Sequence, residues 1–335
     1  KRMPSAQPPR ISRNTVAHLL MFAMVIIWGT MFVMVKEALA YMGPQWFNAL
    51  RMTVAFVCVA LVYYRQWSQL TRTAWLAGAT AGAAMAAGFF FQTEGLRATT
   101  ATNSAFLTAL VVVFVPFLVS LPGLRSPGAP LPQWPAWTGA LIAFLGVALL
   151  TTPGHTPWLQ LLHSLNRGDI FSIACALGFA LQIIALDHGA KRVRFDQLTL
   201  LQIGFAMLFL IVAAIITEPP AAGAWAHLRT HLFSAASPLH RPSVLFAIAA
   251  AGILATALAF SVQTWAQQVI PPTNLAVIVT LEPVFAWLTA FLVLGESLHL
   301  RRALGALLVL TGVLAAELLP RWRARLQGGE QPRSQ

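Results

Sequence analysis

One passage of this chain is written twice. Phe89 to Leu121 is an apolar helix end, a short polar joint and a long apolar helix carrying Pro116, and Ser261 to Leu294 says much the same again. Gln92-Thr93 is echoed by Gln263-Thr264, Thr102-Asn103 by Thr273-Asn274, and Pro116 by Pro283. Further on, Gly139 and Gly146, each opening a short apolar run, return as Gly305 and Gly312. The offsets, 171 and 166 residues, make the repeat about half of the 335-residue chain. A repeat constrains the architecture before any local reading, because each copy must fold as the same unit.

The copies are too apolar for a soluble core. Charged residues make up 10% of the chain, where a soluble domain carries about a quarter. Ten runs can cross a hydrocarbon core of about 30 Å as helices. They are 15–35, 44–64, 74–94, 101–121, 134–152, 169–187, 197–217, 243–268, 272–294 and 302–320. Helix is the required form, since lipid offers the backbone no hydrogen-bond partner. The expected fold is therefore an all-α integral membrane protein with ten transmembrane helices. The expected divisions are a tail at 1–14, five-helix repeats at 15–152 and 169–320, a loop at 153–168 between them, and a tail at 321–335. The first run is read as a retained span. It is longer than a signal-peptide core of about 7–15 residues, and Lys36-Glu37 interrupts it before Ala38-Leu39-Ala40.

The formal charge of +12 does not point to nucleic acid, because the basic residues stand at helix ends. With the N-terminus inside, fourteen Lys and Arg fall on inner segments and seven on outer loops, with Arg51 inside a span. That bias places both termini in the cytoplasm. Five spans per copy is an odd number, so two like copies enter the membrane in opposite senses. Inverted repeats are a carrier signature, with the site between the repeats and access alternating as one rocks on the other.

Cys58 and Cys175 lie in separate apolar runs and read as small core residues. His227, His231 and His240 share an outer loop without zinc-site spacing and read as solvated. The pattern calls for no metal and no cofactor. The expected partners are a small-molecule substrate and the lipid bilayer, not nucleic acid, and helix count leaves the oligomeric state open.

The chain resembles the EamA-type drug/metabolite transporters, ten-helix proteins made of two five-helix repeats. The resemblance covers nearly the whole chain. It rests on Trp28-Gly29-Thr30-Met31-Phe32, Arg51, the stretch Asn103 to Pro116, Leu281-Glu282-Pro283 with Gly295-Glu296, and Gly305 with Gly312. Within that superfamily the chain looks most like the YddG-type exporters of aromatic and other neutral amino acids. The resemblance implies export across a bacterial inner membrane. The chain departs from the pattern where the fourth helix ends in Leu121-Pro122-Gly123 without a Gly-Glu, and where the sixth has no Trp-Gly, so that Gly178 alone echoes Gly29.

Few ionisable groups lie deep, and a charge at depth normally faces a bundle interior or a water cavity. Arg51 and Glu282 are expected to pair, or to meet the carboxyl or amino group of a zwitterionic substrate; snorkelling to the interface is the plainer reading of Arg51. Trp28 is a candidate cavity wall or a packing residue. Phe90 and Trp265 are further candidates for substrate contact. Phe89-Phe90-Phe91 covers three directions on a helix, so one or two of them at most can face a cavity. Gln182, Gln263 and Gln267 suit either a substrate or interhelical hydrogen bonds. Glu94 is a rim carboxylate or a proton-coupling group, a role Glu282 also admits. Pro116 and Pro283 are expected to bend both copies of the repeated helix. Gly78, Gly82, Gly88, Gly139 and Gly146 read as packing notches.

The leading functional reading is an exporter of small metabolites, with aromatic or neutral amino acids as cargo. Other drug or metabolite carriers of the superfamily, including those for nucleobases or nucleotide sugars, are the alternative. One deep cation is few for phosphate-bearing cargo. An intramembrane enzyme is disfavoured because neither His-Glu-x-x-His nor Gly-x-Ser-x-Gly occurs. A receptor would not require inverted repeats.

Overall fold

The computed structural model describes residues 12–99, 101–127, 131–151, 166–218, 238–294 and 300–328. The helices are α1 (Arg13–Ala38), α2 (Pro44–Val62), α3 (Arg72–Ala98), α4 in two pieces (Ala101–Thr108 and Val111–Ser120) and α5 (Trp134–Thr151). The second half supplies α6 (Arg167–Ala190), α7 (Phe195–Thr217), α8 (Pro242–Ala266), α9 in two pieces (Pro272–Val279 and Glu282–Leu294) and α10 (Leu300–Gly328). Each apolar run of the sequence falls on one of them. Among the described residues seven are long and apolar enough to cross a membrane, and α4, α5 and α10 contain shorter apolar stretches. His227, His231, Gly295-Glu296 and nearly all of the expected loop at 153–168 lie outside the described residues.

Helix starts follow local chemistry. Ser12 and Thr71 accept the Thr15 and Ala74 backbone N–H groups, each at 3.1 Å. Asn166 and Asp169 form a reciprocal capping box on α6. Pro44, Pro242 and Pro272 open α2, α8 and α9, where a missing N–H costs nothing. The bundle is apolar outside and polar within. Leu61, Ile216 and Leu292 are 70%, 70% and 71% exposed, while Gln45, Asn48 and Gln202 are fully buried. Such a surface suits lipid.

The packing is two-fold. α3 packs on α6 and α7, as α8 packs on α1 and α2; α1 meets α9 as α6 meets α4. α2, α4 and α5 each meet their own repeat partner, α7, α9 and α10. Those partners run antiparallel. Gln45 at the start of α2 meets Glu218 beyond the end of α7, and Tyr63 at the other end meets Phe195, with ring centroids 6.2 Å apart. The repeated glycines close on each other: a Cβ at Gly139 would meet the Gly312 carbonyl at 2.7 Å, and one at Gly146 the Gly305 carbonyl at 2.8 Å. An inverted repeat requires this reciprocity. The same bare backbones let α5 and α10 approach closely, as the notch reading expected.

The repeated helix breaks at the same place in both copies. In α4, Ala109 shares its N–H between the carbonyls four and three residues back and Leu110 bonds three back; in α9, Thr280 and Leu281 bond three back. Ala109 and Thr280 are 171 residues apart, the spacing of the Thr-Asn joints. Pro116 and Pro283 are 167 apart, one helical turn out of that register. The expected equivalence of the two prolines therefore does not hold. Pro283 stands just past its break, whereas Pro116 lies inside the continuous piece Val111–Ser120. The first break forms without a proline beside it.

Candidate functional site

A cavity opens between the repeats, and its lining obeys the repeat. Phe89 and Phe260, Gln92 and Gln263, Thr108 and Val279, and Val111 and Glu282 all line it, each pair 171 residues apart. Trp28 and Phe179, Met31 and Gln182, and Phe32 and Ile183 do so at a spacing of 151. The cavity thus lies on the pseudo-two-fold axis, built from the same helix faces of both halves.

Four aromatic rings cross that axis. Trp28 packs on Phe260 at 5.4 Å, Phe260 on Phe89 at 5.8 Å, and Phe89 on Phe179 at 5.1 Å between ring centroids. The outer two contacts are two-fold mates and the central one maps onto itself. Phe179 is the counterpart of Trp28, which corrects the expectation that Gly178 alone echoes the first helix. Gly178 instead lets α6 touch α3: a Cβ there would lie 2.6 Å from the Gly88 nitrogen. A spacing visible in the sequence, 151 rather than 149, would have found Phe179, but the exchange of Trp for Phe hid it.

α8 holds one end of the site through a π-helical turn at Ile253–Leu258. The Trp28 indole N–H donates to the Ala255 carbonyl at 2.8 Å, and Arg51 Nη2 donates to the Thr256 hydroxyl at 3.0 Å. Such turns arise where one residue is accommodated beyond the regular helix, and they recur at functional sites. No periodicity in the apolar run announced it.

Arg51 is 3% exposed, and its guanidinium lies 4.3 Å above the Phe89 ring centroid. It does not snorkel. Its Nε has no partner. Glu282 also lines the cavity and is 9% exposed. Arg51 and Glu282 form no ion pair with each other. Of the two expected arrangements, direct pairing is absent, and both groups remain turned to the cavity. Gln182 and Gln263 line it too, in a buried network with Gln202, Thr264 and Gln267.

Three expected residues lie elsewhere. Phe90 meets Phe91 edge-to-face at 5.3 Å between ring centroids, one position round the helix from Phe89. Trp265 lies under Arg13, 5.6 Å from ring centroid to guanidinium, beside the 2.5 Å hydrogen bond from Arg13 to Gln268. Glu94 accepts the Gln45 amide at 3.0 Å, near the start of α2. There Glu218 accepts the Gln45 and Trp46 backbone N–H groups at 2.9 and 3.4 Å. Burial raises the Glu218 carboxyl above its ordinary value, against those two hydrogen bonds; Glu94 adds to the rise and Arg97 opposes it. Cys175 is buried, 3.7 Å from the Thr108 hydroxyl, as a core thiol would be. Among the described residues no group of His, Cys, Asp and Glu is placed to hold a metal ion.

Comparison with known proteins adds to this geometry. The model of the EamA-like transporter family matches the chain twice, over residues 15–152 and 166–317. Two proteins of Archaeoglobus fulgidus, each named an uncharacterized transporter, are 29% and 25% identical to this chain. The alignments cover 91% and 90% of this chain and 87% and 96% of theirs. One solved crystal structure superposes with a TM-score of 0.68 over 92% of this chain and 98% of its own, at 18% identity, which bears on the fold alone.

Proposed function

This chain belongs to the EamA-like transporter family, and we propose that it exports small amino acids with apolar or aromatic side chains across the cytoplasmic membrane of a bacterial cell. Transporter membership and a multi-pass membrane fold are its premises. The cargo, the outward direction, alternating access and the cytoplasmic termini are the proposal.

One observation carries it: Arg51 and Glu282 line one aromatic-walled cavity without pairing with each other. A buried cation and a buried anion left apart are costly unless a ligand meets them. An α-amino acid brings one carboxylate and one ammonium on a single carbon. Its side chain would lie on the ring chain from Trp28 to Phe179. Antiparallel repeats on either side of the cavity supply two equivalent halves that can exchange conformations, which is how such carriers alternate access.

Purified protein in liposomes, given a panel of amino acids, nucleobases and cationic drugs with and without a pH gradient, tests the reading. Saturable uptake of aromatic or neutral amino acids, competed by other members of that class, is the expected result. Uptake confined to nucleobases or cationic drugs would overturn the cargo. Chemical conversion of a substrate in detergent, without vesicles, would favour an enzyme instead.

A further inference from the structure

Two hydrogen-bond chains beside the cavity have directions fixed at their far ends. The first begins at the Ile183 carbonyl, which can only accept. The Gln267 amide nitrogen donates to it at 2.8 Å, so Gln267 Oε1 points back and accepts from Gln263 Nε2 at 3.2 Å. The second begins at the Phe260 carbonyl. The Thr264 hydroxyl gives it its one proton at 2.6 Å, so its oxygen accepts from Gln202 Nε2 at 2.7 Å. Gln202 Oε1 then accepts from Gln182 Nε2 at 3.2 Å, and Gln182 Oε1 from Gln263 Nε2 at 3.1 Å.

Both chains end on the same nitrogen and use both of its protons. Turning the Gln263 amide over would set oxygen against oxygen at both contacts. Its orientation is therefore dictated from outside. What remains is Gln263 Oε1, buried and without a donor, on a residue 2% exposed that lines the cavity. A buried acceptor in that state can take a donor from a ligand. The first repeat has no such device: Met31 and Leu96 stand where the second has Gln182 and Gln267.

We propose that Gln263 Oε1 receives the substrate's ammonium group, and so makes the cavity select α-amino acids over their deaminated analogues; this rests on the carrier reading above. An ammonium is favoured over a neutral N–H because Glu282 places a carboxyl group in the same cavity. The unpartnered Arg51 Nε faces the opposite requirement and takes the carboxylate.

Three indoles decide this, by equilibrium binding to the full-length protein in detergent and by uptake in liposomes. Tryptophan has both N–H groups, 1-methyltryptophan lacks the ring N–H, and indole-3-propionate lacks the ammonium. Wild type is expected to bind the first two alike and the third at least about a hundredfold more weakly, since the ammonium meets both Gln263 and Glu282. Gln263→Met should narrow that gap about tenfold, the scale of one hydrogen bond to a charged group. Gln267→Met breaks one supporting chain but leaves the acceptor, so it should keep the preference; that separates recognition from loosening of the network. The wild-type comparison needs no variant to fold.

Equal binding of tryptophan and indole-3-propionate overturns the proposal, as does a Gln263→Met protein that keeps the preference undiminished. A loss confined to 1-methyltryptophan overturns it in favour of a ring N–H. Discrimination in binding without uptake leaves the acceptor standing and removes the carrier. Uptake that ignores Gln263 does the reverse, and failure to bind any of the three removes both.

Discussion

The broken helices α4 and α9 are one element written twice, and they differ where it matters. Their tightened turns coincide in the repeat, yet Val111 follows the first and Glu282 occupies the same place after the second. The other polar groups are as one-sided. Met31 is set against Gln182, and Arg51 has no lining counterpart. Asn48 bonds Thr93 as Gln202 bonds Thr264, which makes Phe205 the mate of Arg51. Phe205 packs on Trp75 and Phe209 instead. Helix packing and the aromatic wall keep the two-fold symmetry, while charge and the π turn of α8 break it. A symmetric cavity would hold a zwitterion equally well in two orientations; this one offers its cation and its anion once each.

The comparison can be broken deliberately. Making the second copy like the first, by Glu282→Val, is expected to lower amino-acid uptake by about a hundredfold, the upper range for a hydrogen bond to a charge. The same change should raise the melting temperature in detergent, since it removes a carboxylate from an apolar interior and leaves a residue the mate position already accepts. Unchanged uptake would show that the asymmetry is idle.

The symmetric part of the contrast gives the next effect. Gly146→Ala and Gly312→Ala place a methyl 2.5 Å from the Val309 nitrogen and 2.6 Å from the Ala143 nitrogen. Each is expected to destabilise the protein by about 1–3 kcal/mol, the usual scale for overpacking. The two values should agree, because both report the same α5–α10 contact from its two sides. Unequal losses in a denaturant or thermal titration would argue against the reciprocity.

Arg51→Lys keeps the charge but loses the planar group over Phe89 and the geometry of its bond to Thr256. Uptake is expected to fall about tenfold, with little change in stability. A lysine that transports as well as arginine would reduce the site's requirement to charge alone.

The smallest effect lies at the far end of α2. Glu218 has a raised carboxyl value in the folded protein. Its contribution to stability is therefore fullest below the unfolded value, near 4.5, and is lost as pH rises through the folded value. The wild-type melting temperature should decline slightly over that interval, and Glu218→Gln should flatten the decline. A wild-type profile already flat there would remove Glu218 as the source.

Much of this was legible beforehand. The ten apolar runs, their punctuation by Gly and Pro, and the glycine notches were open to reading because lipid leaves a spanning segment one option and a close contact needs a missing side chain. Trp28, Arg51, Gln182, Gln263 and Glu282 were picked out as polar or aromatic groups at depth, and all of them line the cavity. Phe90 and Trp265 were chosen from the right helices but the wrong faces. A shift of one residue turns a side chain by about 100° on a helix, and apolar membrane helices carry too weak a pattern to fix that angle. Phe179 and Phe260 carry no signal, because an apolar ring in an apolar run has no distinguishing neighbours, and the run Phe89-Phe90-Phe91 does not say which of its rings faces inward.

By itself, the sequence determined a duplicated membrane bundle and, through the odd count of spans, the opposed sense of its halves. Those follow from rules that act on a segment alone: backbone satisfaction, length and charge at the ends. Tertiary structure alone decided that Arg51 lies on Phe89 rather than on Glu282, that α8 takes a π turn, and that Gln263 is left with an unclaimed oxygen. Each is a relation between residues far apart in the chain, set by which faces meet across the axis, and no local pattern encodes it.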